Sequence, residues 1–134
     1  LMARCVREQI PFTVVPSNTF FLKKWPDHEQ WRQNHPIRTM AAAGMNIIPA
    51  TDDWHMHATN GFECYRVMVE EFGFDLDGVR QLMLNGIHAA WQPEEVKERM
   101  ATRWSQEFDQ LRSQLAKEPD IDSERHIAYP PHQQ

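Results

Sequence analysis

Two adjacent carboxylates, Asp52 and Asp53, are the residues of this sequence best placed to do chemistry. They follow a short apolar run, Met45 to Ile48, that is typical of a strand buried in a parallel sheet. Ligands of parallel α/β proteins bind at the carboxyl ends of the strands. In an extended backbone the two side chains would point to opposite sides, so one could bind a metal ion while the other contacts a substrate. The alternative is a solvated Thr-Asp-Asp turn or helix cap, which is the commoner role of such clusters.

Two histidines, His55 and His57, follow the aspartates closely. Imidazoles two positions apart face the same way only in an extended segment, where they would suit zinc with help from a carboxylate. A His-x-His pair also arises by chance in polar loops, and the pattern favours two surface histidines. A self-contained metal site of Asp52, Asp53, His55 and His57 remains an alternative hypothesis.

The other reactive side chains favour structural roles. Cys5 and Cys64 lie in helix-like apolar patterns far apart in the sequence, which predicts two core thiols and neither a disulfide framework nor a zinc knuckle. Ser17 lacks the glycines of a nucleophile elbow. His35 precedes Pro36, which predicts a capping or packing role at a helix entrance.

The first third of the chain predicts the elements that would position the aspartates. Phe12 to Val15 is a buried-strand candidate that follows a short helix. Trp25 to Asn34 is predicted to be a polar loop. A helix should then open at Pro36 and stop at Gly44, before the strand that leads to the aspartates. This order of helix, strand, helix and strand is typical of parallel βα units.

The rest of the chain predicts helices and a tail. Three apolar stripes at helical spacing run from Phe62 to Phe72, from Leu76 to Trp91 after a capping Asp75, and from a start at Pro93 to Leu115. Composition shifts at Pro119 to proline, aspartate, serine and histidine. We therefore expect one domain over residues 1–118 and a poorly ordered tail over residues 119–134.

Composition excludes several classes of protein. The chain has 134 residues with 14 basic and 19 acidic side chains, so its formal charge is −5 and it offers no basic surface for nucleic acid. It contains no stretch of about 18 apolar residues and no signal-peptide pattern, which predicts a soluble, cytoplasmic protein without membrane contact. It is also shorter than the roughly 250 residues of a closed eight-stranded α/β barrel.

An ordered series of motifs resembles the C-terminal part of the adenosine deaminase family, over roughly Leu1 to Met100. The series is Pro11-Phe12-Thr13-Val14-Val15-Pro16-Ser17-Asn18, His35-Pro36-Ile37 followed by Gly44, Thr51-Asp52-Asp53, Glu70-Glu71-Phe72-Gly73-Phe74, and Asn85. The resemblance implies a helix-rich α/β fold, about the last two βα units of a (β/α)₈ TIM barrel plus C-terminal helices. Phe12 to Val15 would be the seventh strand and Met45 to Ala50 the eighth.

The same resemblance implies a reaction and roles for both aspartates. Asp52 would ligate a catalytic zinc ion and orient the hydroxide that zinc makes available. Asp53 would hydrogen-bond a nitrogen of the purine ring. The implied chemistry is hydrolytic deamination of an aminated purine, with a purine nucleoside or base as substrate and a glutamate as proton shuttle.

Several parts of the family's machinery have no counterpart in these 134 residues. They are the His-x-His of the first strand, the histidines of the middle strands, and the His-Ala-Gly-Glu segment. The pair His55 and His57 follows Asp53 and therefore does not match the first-strand motif. Because a zinc site needs at least three protein ligands, we expect the chain to be inactive by itself.

A different class of function is open to the same sequence. Two parallel strands without neighbours would have exposed hydrogen-bonding edges. The chain could therefore be a helix-dominated interaction module that associates with itself and has no catalytic activity.

Overall fold

The computed structural model describes residues 1–17 and 27–117, and every structural statement below refers to these ranges. Asn18 of the first motif and the predicted tail at 119–134 lie outside them. The elements, numbered along the described part of the chain, are α1 (Met2–Arg7), β1 (Phe12–Val14), α2 (His28–Asn34), α3 (Pro36–Ala42), β2 (Ile47–Pro49), α4 (Gly61–Glu70), α5 (Leu76–Ala89) and α6 (Glu94–Leu115).

The two strands pair in parallel, as the βα rhythm predicts. Phe12 lies opposite Ile47 and Val14 lies opposite Pro49. β2 begins later than its apolar run because the amide of Met45 donates to the carbonyl of Met40 and still belongs to the end of α3. Gly44, whose φ is +74°, makes the left-handed turn there that favours glycine. The described fold is therefore a helix-rich α/β arrangement around a short parallel pair.

The predicted loop from Trp25 to Asn34 is wrong over its described part, because α2 occupies His28–Asn34. Asp27 caps this helix by accepting a hydrogen bond from the amide of Gln30 at 2.8 Å. Trp31 is 3 % exposed, with its ring centroid 5.4 Å from that of Phe72. A seven-residue helix with one buried apolar side chain has no periodic stripe, so hydrophobic periodicity missed it.

The core lies where the helices cover the strands. Its buried members are Val14, Trp31, Ile37, Ile47, Met68, Phe72 and Leu82. Ile37 and Met68 are fully buried. The long helix α6 packs along α5 and buries no residue completely, so it belongs to the periphery of the described fold.

Polar contacts fix the helices to one another and to β2. Arg32 of α2 forms an ion pair at 2.7 Å with Glu71, which follows α4. Asp75 caps α5 as predicted, accepting from the amide of Gly78 at 2.8 Å. Asn85 of α5 donates its side-chain amide to the carbonyl of Ile47 at 3.0 Å. The last contact anchors α5 directly on the strand that leads to the aspartates.

Two further predictions concern cysteines and membranes. Cys5 and Cys64 are buried free thiols, which confirms the core role predicted for both. Among the helices of the described residues, none is both long and apolar enough to cross a membrane.

Candidate active site

The parallel pairing brings the carboxyl ends of β1 and β2 side by side. The amide of Ala50 donates to the carbonyl of Val14 at 2.8 Å, just where both strands end. The buried Pro16 and the partly buried Ser17 follow β1, and Asp52 comes two residues after Ala50. This edge is the part of a parallel α/β fold where ligands bind.

Asp52, which follows β2, has an unusual backbone conformation. Its φ is +58°, in the left-handed region that residues other than glycine seldom adopt, although aspartate tolerates it better than most. Its side chain is 53 % exposed. The extended backbone expected for the aspartate pair is therefore wrong, because a turn begins at Asp52. Non-glycine residues in left-handed backbone concentrate at functional sites, which makes Asp52 a candidate by geometry as well as by motif.

Asp53 has a structural role in that turn. Its Oδ1 accepts a hydrogen bond from the amide of Met56 at 2.9 Å, and its carbonyl accepts one from the amide of His57 at 2.9 Å. The side chain therefore caps a single helix-like turn, as Asp does at helix N-termini. The alternative of a capped Thr-Asp-Asp turn is thus confirmed for Asp53.

The two histidines of the turn have different environments. His55 is exposed, with its ring centroid 3.9 Å from that of Trp54. His57 is only 3 % exposed, and its Nε2 lies 3.7 Å from Oδ2 of Asp52. The prediction of surface histidines holds for His55 and is wrong for His57, because the turn capped by Asp53 folds the second imidazole back toward Asp52.

The self-contained metal site is not assembled in the described part of the chain. Over residues 1–17 and 27–117, no three side chains of His, Cys, Asp or Glu gather where they could hold a metal ion. Zinc binding requires at least three protein ligands in a catalytic site. The half-exposed carboxylate of Asp52 is suitable as one oxygen ligand, so these ranges can supply a part of such a site.

Neighbouring polar contacts hold the strand end in place. Cys64 of α4 donates its thiol to the carbonyl of Ala50 at 3.3 Å. Burial raises the pKa of this thiol, which keeps it protonated and suits a structural donor better than a nucleophile. His35 accepts a hydrogen bond at Nδ1 from the amide of Ile37 at 3.1 Å, which confirms its predicted capping role.

The chain belongs to the adenosine deaminase family, whose model matches residues 1–106. This match confirms the family inferred from the ordered motifs. No curated protein matches the chain significantly.

Two solved structures resemble the fold. An amidohydrolase from Burkholderia ambifaria, determined with bound zinc, is 38% identical with a TM-score of 0.81, over 87% of this chain and 32% of its own. An adenine deaminase from Arthrobacter aurescens is 23% identical with a TM-score of 0.67, over 78% of this chain and 32% of its own, a likeness of fold alone. The chain thus spans about a third of the length of each.

Replacing the two aspartates should change the stability of the chain by different amounts. Asp53→Ala should lower the free energy of unfolding by about 1 kcal/mol, because it removes the side-chain cap. Asp52→Asn should change it by less than about 0.5 kcal/mol, because asparagine also tolerates left-handed backbone. Urea unfolding followed by circular dichroism measures both values.

Asp53→Asn is the matched control, because its amide oxygen keeps an acceptor at the same place and should retain the stability of the original chain. The assignment of the cap to Asp53 is contradicted if Asp52→Asn proves more damaging than Asp53→Ala.

Proposed function

We propose that this chain contributes part of the active site of a zinc-dependent aminohydrolase that removes the exocyclic amino group of a purine by hydrolysis, releasing ammonia. The observation that carries the proposal is Asp52, a half-exposed carboxylate held in left-handed backbone at the carboxyl edge of the parallel pair. Family membership and the zinc bound in the Burkholderia relative support the reaction class and the metal.

We assign β1 and β2 to the seventh and eighth strands of a (β/α)₈ barrel. The order of the motifs and the parallel register support this assignment. The helices α4, α5 and α6 would then be the C-terminal helices of a domain that covers residues 1–118. We also expect a cytoplasmic protein without a nucleic-acid partner, in keeping with two buried free cysteines and a formal charge of −5.

Asp52 is proposed to be a metal ligand with a catalytic role. Zinc, when bound, makes hydroxide available for attack near neutral pH. Asp52 would supply one carboxylate oxygen to it, and the negative charge of that carboxylate would help to orient the attacking water. The remaining ligands and the glutamate that shuttles the proton would come from outside the described residues.

Asp53 is proposed to hydrogen-bond a ring nitrogen of the purine. Its Oδ1 already accepts from the amide of Met56. A carboxylate has two oxygens and about four acceptor positions, so the cap and a substrate contact are compatible. An ionised carboxylate only accepts hydrogen bonds, so the contact requires a proton between the ring nitrogen and Asp53. The substrate class that we propose, on the basis of family membership, is a purine nucleoside or purine base.

The chain of 134 residues should not deaminate purines by itself. Incubation of the purified chain with zinc and either adenosine or adenine, followed by the change in purine absorbance, should give no turnover above a blank. The reason is that a catalytic zinc needs at least three protein ligands.

Asp52→Asn is the control for that assay. Turnover well above the blank that is lost in Asp52→Asn would contradict the expected inactivity and would show that the chain is a complete enzyme.

Self-association is a second candidate function, which the open edges of the described sheet favour. β1 and β2 have only each other as partners within the described residues, so each has an unpaired edge. A copy that pairs with such an edge would satisfy its amides and carbonyls.

Light scattering coupled to size exclusion tests this candidate over a range of protein concentrations. We expect a mass at or above that of a dimer, falling toward the monomer on dilution. A chain that stays monomeric at the highest concentration would exclude association through these edges.

A further inference from the structure

We infer that His57 is a positioning residue for Asp52: its buried imidazole orients the carboxylate, so that one oxygen is directed toward His57 and the other is left for a cation. That the second oxygen is left for a cation rests on the proposed function. The contact between the two side chains is independent of it.

Burial distinguishes His57 from the residues around it. Asp52 to Met56 and Ala58 are all exposed, whereas His57 is 3 % exposed. A buried imidazole is costly unless its polar atoms meet polar partners. Its Nε2 lies 3.7 Å from Oδ2 of Asp52. A ring buried at that distance from an exposed carboxylate is suited to hold it.

The backbone fixes this juxtaposition. Two residues in left-handed conformation bracket the turn, Asp52 with a φ of +58° and Ala58 with a φ of +46°. Between them Asp53 closes one helix-like turn through its side chain and carbonyl. The amide of Thr59 then donates to the carbonyl of Trp54 at 3.2 Å. The position of His57 relative to Asp52 is therefore set by the local chain.

The contact between His57 and Asp52 is an electrostatic attraction and not a direct hydrogen bond. A distance of 3.7 Å is longer than a direct hydrogen bond, so the attraction acts between the carboxylate charge and the N–H edge of the ring. An imidazole with its proton on Nε2 presents that edge to Oδ2. Partners of this kind orient metal-binding side chains and influence metal affinity. His55 is exposed and its tilted ring lies against that of Trp54.

Magnetic resonance of the complete chain with nitrogen-15 histidine tests the contact, because it reads both ring nitrogens of each imidazole. We expect Nε2 of His57 to carry a proton that points toward Oδ2 of Asp52. Asp52→Asn should move the Nε2 resonance of His57 and leave that of the buried His35 unchanged. A His57 protonated on Nδ1 alone, or one that does not respond to Asp52→Asn, would overturn the inference.

The carboxyl-carbon resonance of Asp52 tests the reverse direction. His57→Gln places an N–H donor at a similar reach and should keep this resonance near its original position, whereas His57→Phe should shift it. His55→Gln is the matched control and should not shift it. Equal shifts in His57→Gln and His57→Phe would reduce His57 to a packing role and overturn the inference.

Folding of the variants does not limit this test. Asp52→Asn and His57→Gln preserve size and polarity, so they decide the outcome even where His57→Phe fails to fold. Neither readout involves zinc or a purine. Loss of the contact would therefore leave the proposed function standing, and failure of the proposed function would leave the contact measurable.

Discussion

The hydrogen bond from the amide of Ala50 to the carbonyl of Val14 closes the parallel pair at the edge where Asp52 emerges. Everything else in the candidate site depends on that closure. Asn85 holds β2 from α5 through the carbonyl of Ile47, and Cys64 holds it from α4 through the carbonyl of Ala50. Two helices thus fix the strand near its start and just beyond its end. The turn that carries the aspartates therefore begins from a strand end held by three hydrogen bonds.

The turn itself combines local strain with local compensation. Left-handed backbone at Asp52 is unfavourable for a residue with a Cβ. The cap that Asp53 provides stabilises the following turn and so opposes that cost. The two adjacent carboxylates consequently differ in role. Asp53 stabilises the conformation that Asp52 adopts, while Asp52 keeps a half-exposed carboxylate at the carboxyl edge of the strands.

Much of this architecture could be predicted from the sequence because its signals are local. Continuous apolar runs predict the two strands, and the capping residues His35 and Asp75 predict the starts of two helices. The aspartates were found from their place after a buried strand, together with the family motif. These features depend on near neighbours in the chain, which a sequence displays directly.

The features that escaped prediction depend on contacts between distant residues or on rare backbone conformations. α2 is stabilised by burial of Trp31 against Phe72, which lies far along the chain. His57 is buried in a turn that begins with left-handed backbone at Asp52, a conformation that is uncommon even for aspartate. The prediction of an extended aspartate pair failed for the same reason. The polar sequence of the turn therefore did not predict that His57 is buried next to Asp52.

The central proposal is that Asp52, and not the neighbouring histidines, supplies a ligand to the metal. Anomalous diffraction at the zinc absorption edge tests it most directly, from zinc-containing crystals of a protein in which this chain is joined to the segments proposed to supply the remaining ligands. The account predicts a zinc peak about 2.1 Å from a carboxylate oxygen of Asp52, with His57 outside the coordination sphere. Zinc bound to the imidazoles of His55 or His57, with the carboxylate of Asp52 uncoordinated, would contradict the account.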